Sequence, residues 1–296
     1  MRYIFFTLTF FMLLTSAMAG QQEIHAVWDH SGSGLYPGDW PRTIRLLAKS
    51  HVTDLFVNVA GMDFAHYNSS ILPRSQTFAR NGDQLAACIR AAKGTGVRVH
   101  AWLICFAETH GKMKYLSPAK RSVQSKVLSV VDELQSRYEI QGVHLDFVRW
   151  GVNEVKPKNA AAAVTQFVTE ARRRVKRPKW LTAAVYGRYP SCIASVGQDW
   201  VQWLNLGIVD YVVPMDYTES KVKFEEFMRL QSVPTANARR TIAGIGVTAS
   251  ESKLNAVQVA EQIKLARKYG LAGTSLFDLD ATLENKILPY VRQNAW

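Results

Sequence analysis

The run Gly142-Val-His-Leu-Asp-Phe-Val-Arg-Trp150 sets a histidine, a carboxylate and a guanidinium towards the end of an otherwise apolar segment. An ionised group inside such a segment must be partnered or give up its charge, so Asp146 points to chemistry more than to packing. Side chains alternate along a strand, which puts His144 and Asp146 on one face and Val143, Leu145 and Phe147 on the other. A second carboxylate, Asp216, stands in Val213-Pro-Met-Asp-Tyr217. Two carboxylates flanking a glycosidic bond can hydrolyse it: one protonates the leaving oxygen while the other attacks the anomeric carbon or activates water. Asp146 and Asp216 are the candidate catalytic pair on this reading. His144 and Arg149 would hold Asp146 ionised, and an acid at the other position needs its pKa raised by burial or by the first carboxylate. Asp29, Glu108 and Asp278 compete for the second role or cap the helices that follow them.

Such groups need a frame, and the chain supplies one by alternating short β-rich runs with helical stretches, the pattern of βα units and a parallel sheet. Eight strands are expected, over residues 24–29, 54–60, 98–106, 142–148, 181–186, 209–217, 241–247 and 274–279. Helical patterns lie after each strand, and Gly94, Gly207 and Gly270 stand just past three of them, where a left-handed terminating residue is cheap only for glycine. The count predicts a single-domain (β/α)8 barrel over residues 20–296. Pro214 conflicts with the interior of the sixth strand and implies a bulge or the strand's last turn.

In a barrel of this kind the chemistry sits at the C-terminal ends of the strands. Alternation then pairs His100 with Trp102, sets Val212, Pro214 and Asp216 on one face, and puts Asp29 on the face of His25 and Val27. The candidate substrate-binding ring is Trp28, Asp29, Asn58, Tyr67, His100, Trp102, Glu108, His144, Arg149, Trp150, Tyr186, Tyr217 and Asp278. Flat rings beside carboxylates suit sugar faces, which present apolar C–H patches; Phe106, Tyr189 and Phe277 are further aromatics expected near the mouth. His25, which opens its strand, reads as a satisfied core or barrel-floor residue.

Composition narrows the partners. The chain has 296 residues, 48% hydrophobic and 20% charged, enough for one large core. Arg2, an apolar run over residues 3–14 and Ala17-Met18-Ala19 form the pattern of a cleaved export leader, residues 1–19. No cysteine follows the expected cut, which argues against a lipid anchor, and no later apolar run is long enough to span a bilayer. A formal charge of +12 favours anionic partners, which outside the cytoplasm means acidic glycans or wall polymers. Zinc-finger, RNP-like and phosphate-loop patterns are missing, and the basic run Arg172-Arg-Arg-Val-Lys-Arg177 ends a helix, so nucleic acid is not an expected partner. Cys88, Cys105 and Cys192 lack metal-ligand spacing and allow one disulfide at most; no metal or other cofactor is expected.

Taken together, Ile24-His-Ala-Val-Trp28, Tyr67-Asn-Ser-Ser-Ile-Leu-Pro-Arg-Ser75, Val99-His-Ala-Trp102, Gly142-Val-His-Leu-Asp-Phe-Val-Arg149 and Val213-Pro-Met-Asp-Tyr217 resemble the bacterial glycosyl-hydrolase-like family ten. The resemblance covers most of the chain after the leader. It implies a secreted or envelope-bound (β/α)8 glycosidase whose fourth-strand Asp146 is catalytic, and some members are similar to enzymes that cut peptidoglycan strands stripped of their stem peptides. No appended wall-binding or β-sandwich domain of the kind found in longer relatives is expected within residues 20–296, and the positive charge is expected to hold the protein on an anionic wall instead. The expected function is therefore hydrolysis of a bacterial polysaccharide, peptidoglycan glycan first. The alternatives are a catalytically silent carbohydrate-binding barrel and a metal-dependent polysaccharide deacetylase.

Overall fold

The computed structural model describes residues 22–296; the expected leader lies outside the described residues. Eight parallel strands form the barrel: β1 (Ile24–Asp29), β2 (Asp54–Gly61), β3 (Arg98–Ile104), β4 (Gly142–Asp146), β5 (Trp180–Val185), β6 (Tyr211–Pro214), β7 (Ile242–Gly246) and β8 (Gly273–Phe277). Neighbours in sequence are neighbours in the sheet, and β8 returns to β1 with Gly273 opposite Ile24. Isolated bridges from Val212 to Thr241 and from Met215 to Gly244 join β6 to β7 and complete the ring. Pro214 is the last residue of β6, where its missing N–H interrupts no later pairing of that strand.

The principal helices between strands are α1 (Trp40–Lys49), α2 (Gln84–Ala92), α3 (Arg121–Arg137), α4 (Ala160–Arg174), α5 (Trp200–Asn205), α6 (Lys221–Gln231), α7 (Ala256–Lys268) and α8 (Leu288–Asn294). Their starts follow from side-chain caps. Asp39, Asp83 and Asp199 each accept from a backbone N–H of the first turn, and Asn255 forms a capping box with Gln258. Past the helical stretches that end α5 and α7, Gly207 (φ 66°) and Gly270 (φ 73°) take the left-handed conformation in open space, as the sequence implied. Three short helices, Gln76–Asn81, Ser191–Val196 and Thr235–Ala238, and a small hairpin of Ala107–Glu108 with Lys114–Tyr115 add to the expected elements.

Alternation along the strands divides the apolar residues into two cores. Ile24, Ala26, Trp28, Phe56, Trp102, Tyr211, Val213 and Ile242 fill the barrel interior. Val27, Leu55, Val143, Leu145, Ala183, Val212 and Ile245 face the helices. Each fully buried large aliphatic chain contributes about 1.5–3 kcal/mol, so both layers hold the strand ends in place. The lower end of the barrel is polar: the fully buried Asp54 accepts from Arg98 at 2.9 and 2.6 Å and pairs with His100 Nε2 at 2.7 Å. Cys88, Cys105 and Cys192 are all buried free thiols, so the one disulfide that the sequence allowed does not form.

Candidate active site at the barrel mouth

At the C-terminal ends of the strands lies a cavity of about 530 Å³. Its walls include Trp28 from β1, Trp102 and Ile104 from β3, Asp146 from β4, Ala184 from β5 and Phe277 from β8. Loops add His30, Thr109, Met113, Phe147, Arg149, Tyr186, Met215, Tyr217 and the segment Ala249-Ser-Glu251. That volume is in the range of small-ligand sites, and the mix of rings with few polar groups is what such a site uses to orient a ligand.

Asp146 is the last residue of β4, opposite Ile104 of β3, and only 6% exposed. Phe147 follows with φ 47°, an uncommon conformation for a bulky residue, and its N–H donates to Asp146 Oδ1 at 2.6 Å. Trp102 Nε1 donates to Oδ2 at 3.2 Å. Burial pushes the carboxyl above its ordinary pKa, against the opposing pull of Arg149, the Phe147 N–H, Trp102 and His30. The net direction is towards a protonated acid, opposite to the ionised Asp146 that the sequence suggested. His144 is one reason, because it makes no hydrogen bond to Asp146 and is bonded elsewhere.

His144 is fully buried below the cavity, between β3 and β5. The indole of Trp28 can only donate, and it donates to His144 Nε2 at 3.0 Å. The imidazole is therefore neutral with its proton on Nδ1, which donates to Thr182 Oγ1 at 2.8 Å. Burial, with the nearby His100, holds its pKa well below the usual histidine range. His144 thus fixes the Trp28 ring at the cavity wall without reaching the cavity itself.

Trp28, Trp102, Arg149, Tyr186 and Tyr217 stand on the cavity as expected. Asp216 does not. The inward residues of this part of the chain are Tyr211 and Val213, then Met215 and Tyr217, so the assumed phase of the sixth strand is reversed. Asp216 is fully buried behind the wall, where Gln231 Nε2 of α6 donates to Oδ1 at 2.8 Å and Gly187 leaves the room it occupies. Burial, only partly countered by Gln231, pushes its pKa well above the carboxylate range.

Other expected ring members are also displaced. Asp29 faces the helix side with Val27 and accepts from Ser31 Oγ at 2.6 Å and Gly34 N at 2.9 Å; burial raises its pKa to about 6. Tyr67 lies in the outer core and donates to Glu133 Oε2 at 2.7 Å. Glu108 sits in the small hairpin, paired with Lys114 at 3.0 Å. Trp150 packs outside the barrel with its Nε1 on Ala160 O at 3.2 Å, and His100 belongs to the floor cluster. Asn58 and Asp278 act at one remove. Asn58 Nδ2 donates to His30 O at 3.2 Å and Asp278 Oδ1 accepts from His30 N at 3.0 Å, so the two hold the backbone of a residue whose ring lines the cavity. Of the extra aromatics, Phe277 reaches the cavity, whereas Phe106 packs on Phe167 and Tyr189 on Trp200.

Sequence reasoning missed His30 and Glu251. Among the described residues Glu251 is the carboxylate that lines the cavity with Asp146, and it accepts from Ser250 Oγ at 2.7 Å. Its place in the loop after β7 was the available signal, since loops after barrel strands build such sites.

No protein-family model matches the chain, and no curated protein matches it in sequence. Its fold is that of known glycoside hydrolases. The glycoside hydrolase domain of PgaB (BpsB) from Bordetella bronchiseptica superposes with a TM-score of 0.70 at 14% identity, over 91% of this chain and 98% of that one. A family GH18 chitinase from Cycas revoluta gives 0.62 at 14% identity, over 93% and 100%. The spore cortex-lytic enzyme SleL of Bacillus cereus gives 0.61 at 11% identity, over 92% and 74%. At these identities the likeness is one of fold, and all three share the (β/α)8 frame found here.

Proposed function

We propose that the protein is an exported glycoside hydrolase acting on a bacterial polysaccharide, with peptidoglycan glycan strands as the first candidate, and that it is a member of the family its motifs resemble. One observation carries the reading: a buried carboxyl with a raised pKa ends the fourth barrel strand and faces a cavity walled by aromatic rings. Asp146 in its neutral form donates a proton to the glycosidic oxygen as the bond breaks, and burial favours that form by pushing the carboxyl above its ordinary pKa. Glu251 takes the role first given to Asp216: as the other lining carboxylate, it activates water or attacks the anomeric carbon. Trp28, Trp102, Tyr186, Tyr217 and Phe277 stack on sugar faces and hold the chain across Asp146.

The neighbours support a polymeric carbohydrate substrate, since they include chitinases and a spore cortex-lytic enzyme. The leader pattern supports export, and the charge of +12 supports an anionic, wall-associated polymer. The test is mass spectrometry after incubation with intact peptidoglycan, peptide-stripped peptidoglycan, chitin oligomers and acidic exopolysaccharides. Shortened chains with new reducing ends are expected from at least one. Loss of acetyl groups without shortening, abolished by a chelator, would instead identify a deacetylase; binding without any change of mass would identify a silent barrel.

A further inference from the structure

Arg149 stands on the cavity wall with only 6% of its surface exposed. A guanidinium so buried ordinarily has a carboxylate partner. Among the described residues none is in ion-pair contact with it, and its one hydrogen bond runs from Nη1 to Trp150 O at 3.3 Å. The Nε atom is buried with no partner, and among the described residues no hydrogen bond uses the Nε–Nη2 edge. Aromatic rings hold the group instead: Phe147 at 4.3 Å, Tyr186 at 5.1 Å and Tyr115 at 5.7 Å from the guanidinium carbon. These contacts fix the plane of the group; Nε is enclosed, and Nη2, which is neither enclosed nor hydrogen-bonded among the described residues, is the donor left to meet a carboxylate oxygen.

We propose that Arg149 is the receptor for a carboxylate carried by the substrate sugar, making the cavity a site for acidic glycans. The inference rests on the glycan reading of the same cavity and names the substrate class within it. Two common carriers share this chemistry: a uronic acid, and the lactyl ether of a muramyl residue freed of its peptide. Neutral glycans leave the fork unpaired, and a peptide amide on the lactyl group removes the charge it needs. Binding also bears on the acid. Arg149 is the strongest of the influences that hold the Asp146 pKa down, and a bound carboxylate neutralises it, so substrate binding itself favours the protonated Asp146.

The test compares acids with their methyl esters in binding to the intact protein. Peptide-stripped muramyl oligosaccharide and an oligogalacturonate, each as acid and as ester, are titrated against the tryptophan fluorescence of Trp28 and Trp102. In at least one pair the acid should bind tenfold or more tightly than the ester, and that pair identifies the carrier. The preference should weaken with salt and fall to near unity in Arg149→Gln, with Arg149→Lys between. Equal binding of acid and ester in both pairs, binding of neither, or a preference kept in Arg149→Gln overturns the proposal. The comparison within the parent protein decides even where the variant does not fold. Glycan cleavage with no acid preference would sink this inference alone; acid-selective binding without cleavage would sink only the hydrolase reading.

Discussion

Replacing His144 by Phe keeps a flat ring beside Phe56, 4.3 Å away, but removes the acceptor of the Trp28 indole and the donor to Thr182. The indole N–H is left buried and unpaired, at a cost of about 1–3 kcal/mol. The same residue has a pH signature of known sign. Its pKa in the folded protein is depressed, so its contribution is complete above the unfolded histidine pKa and is lost as pH falls. Below the ordinary histidine pKa of about 6.5 the parent therefore loses stability through this residue, on the order of 1–2 kcal/mol by pH 5. The variant has no such group to protonate on unfolding. His66, whose pKa burial lowers to about 4, is present in both proteins and cancels in the difference. Denaturant unfolding should therefore show His144→Phe less stable by about 2 kcal/mol at pH 7.5 and nearly level with the parent at pH 5. A deficit that stays the same at both pH values would refute the neutral, doubly bonded His144.

Asp216→Asn should fold and turn over glycan within about threefold of the parent, because the amide can occupy the same pocket against Gln231 away from the cavity; a loss of a hundredfold would restore Asp216 to catalysis. Glu251→Gln should lower kcat by about 10²-fold or more with an unchanged unfolding midpoint, read by reducing-end assay and denaturant titration. Glu133→Ala removes a carboxylate that accepts from Tyr67 at 2.7 Å, from Ser69 at 2.6 Å and from Ser70, its hydrogen bonds overcoming burial to hold its pKa at about 2. It should cost about 2–4 kcal/mol at neutral pH, shrinking as pH falls from about 4.5 towards 2; a pH-independent deficit counts against the charged network.

The barrel was readable because its strands are short apolar runs at regular intervals and glycines mark several helix ends, signals that are local in the chain. The inward face of β4 was readable for the same reason: Asp146 and His144 are polar at one parity and their neighbours apolar at the other. In β6 that contrast is absent. Tyr211-Val-Val-Pro214 is apolar at both parities because a barrel strand is buried on both sides, so the sequence carries no phase and Asp216 was turned the wrong way. Asp29 was misjudged for a related reason, since its loop partners Ser31 and Gly34 satisfy it on the helix side. Glu251, His30 and Met113 come from loops, where no periodicity reports direction and only the closed ring brings them together. The bonds of Tyr67 to Glu133 and of Trp150 to Ala160 join residues 66 and 10 positions apart, and nothing in either local sequence marks them as structural.

The most direct measurement of the central claim is the rate of glycan cleavage by Asp146→Asn against the parent, on whichever polysaccharide the parent cuts. The amide keeps the shape of the carboxyl but has no proton to give, so the rate should fall by about 10²–10⁴-fold while glycan binding persists. Cleavage at the parent rate, or a parent protein that cuts none of the wall and acidic polysaccharides, would contradict the assignment of Asp146 as the acid of a glycoside hydrolase.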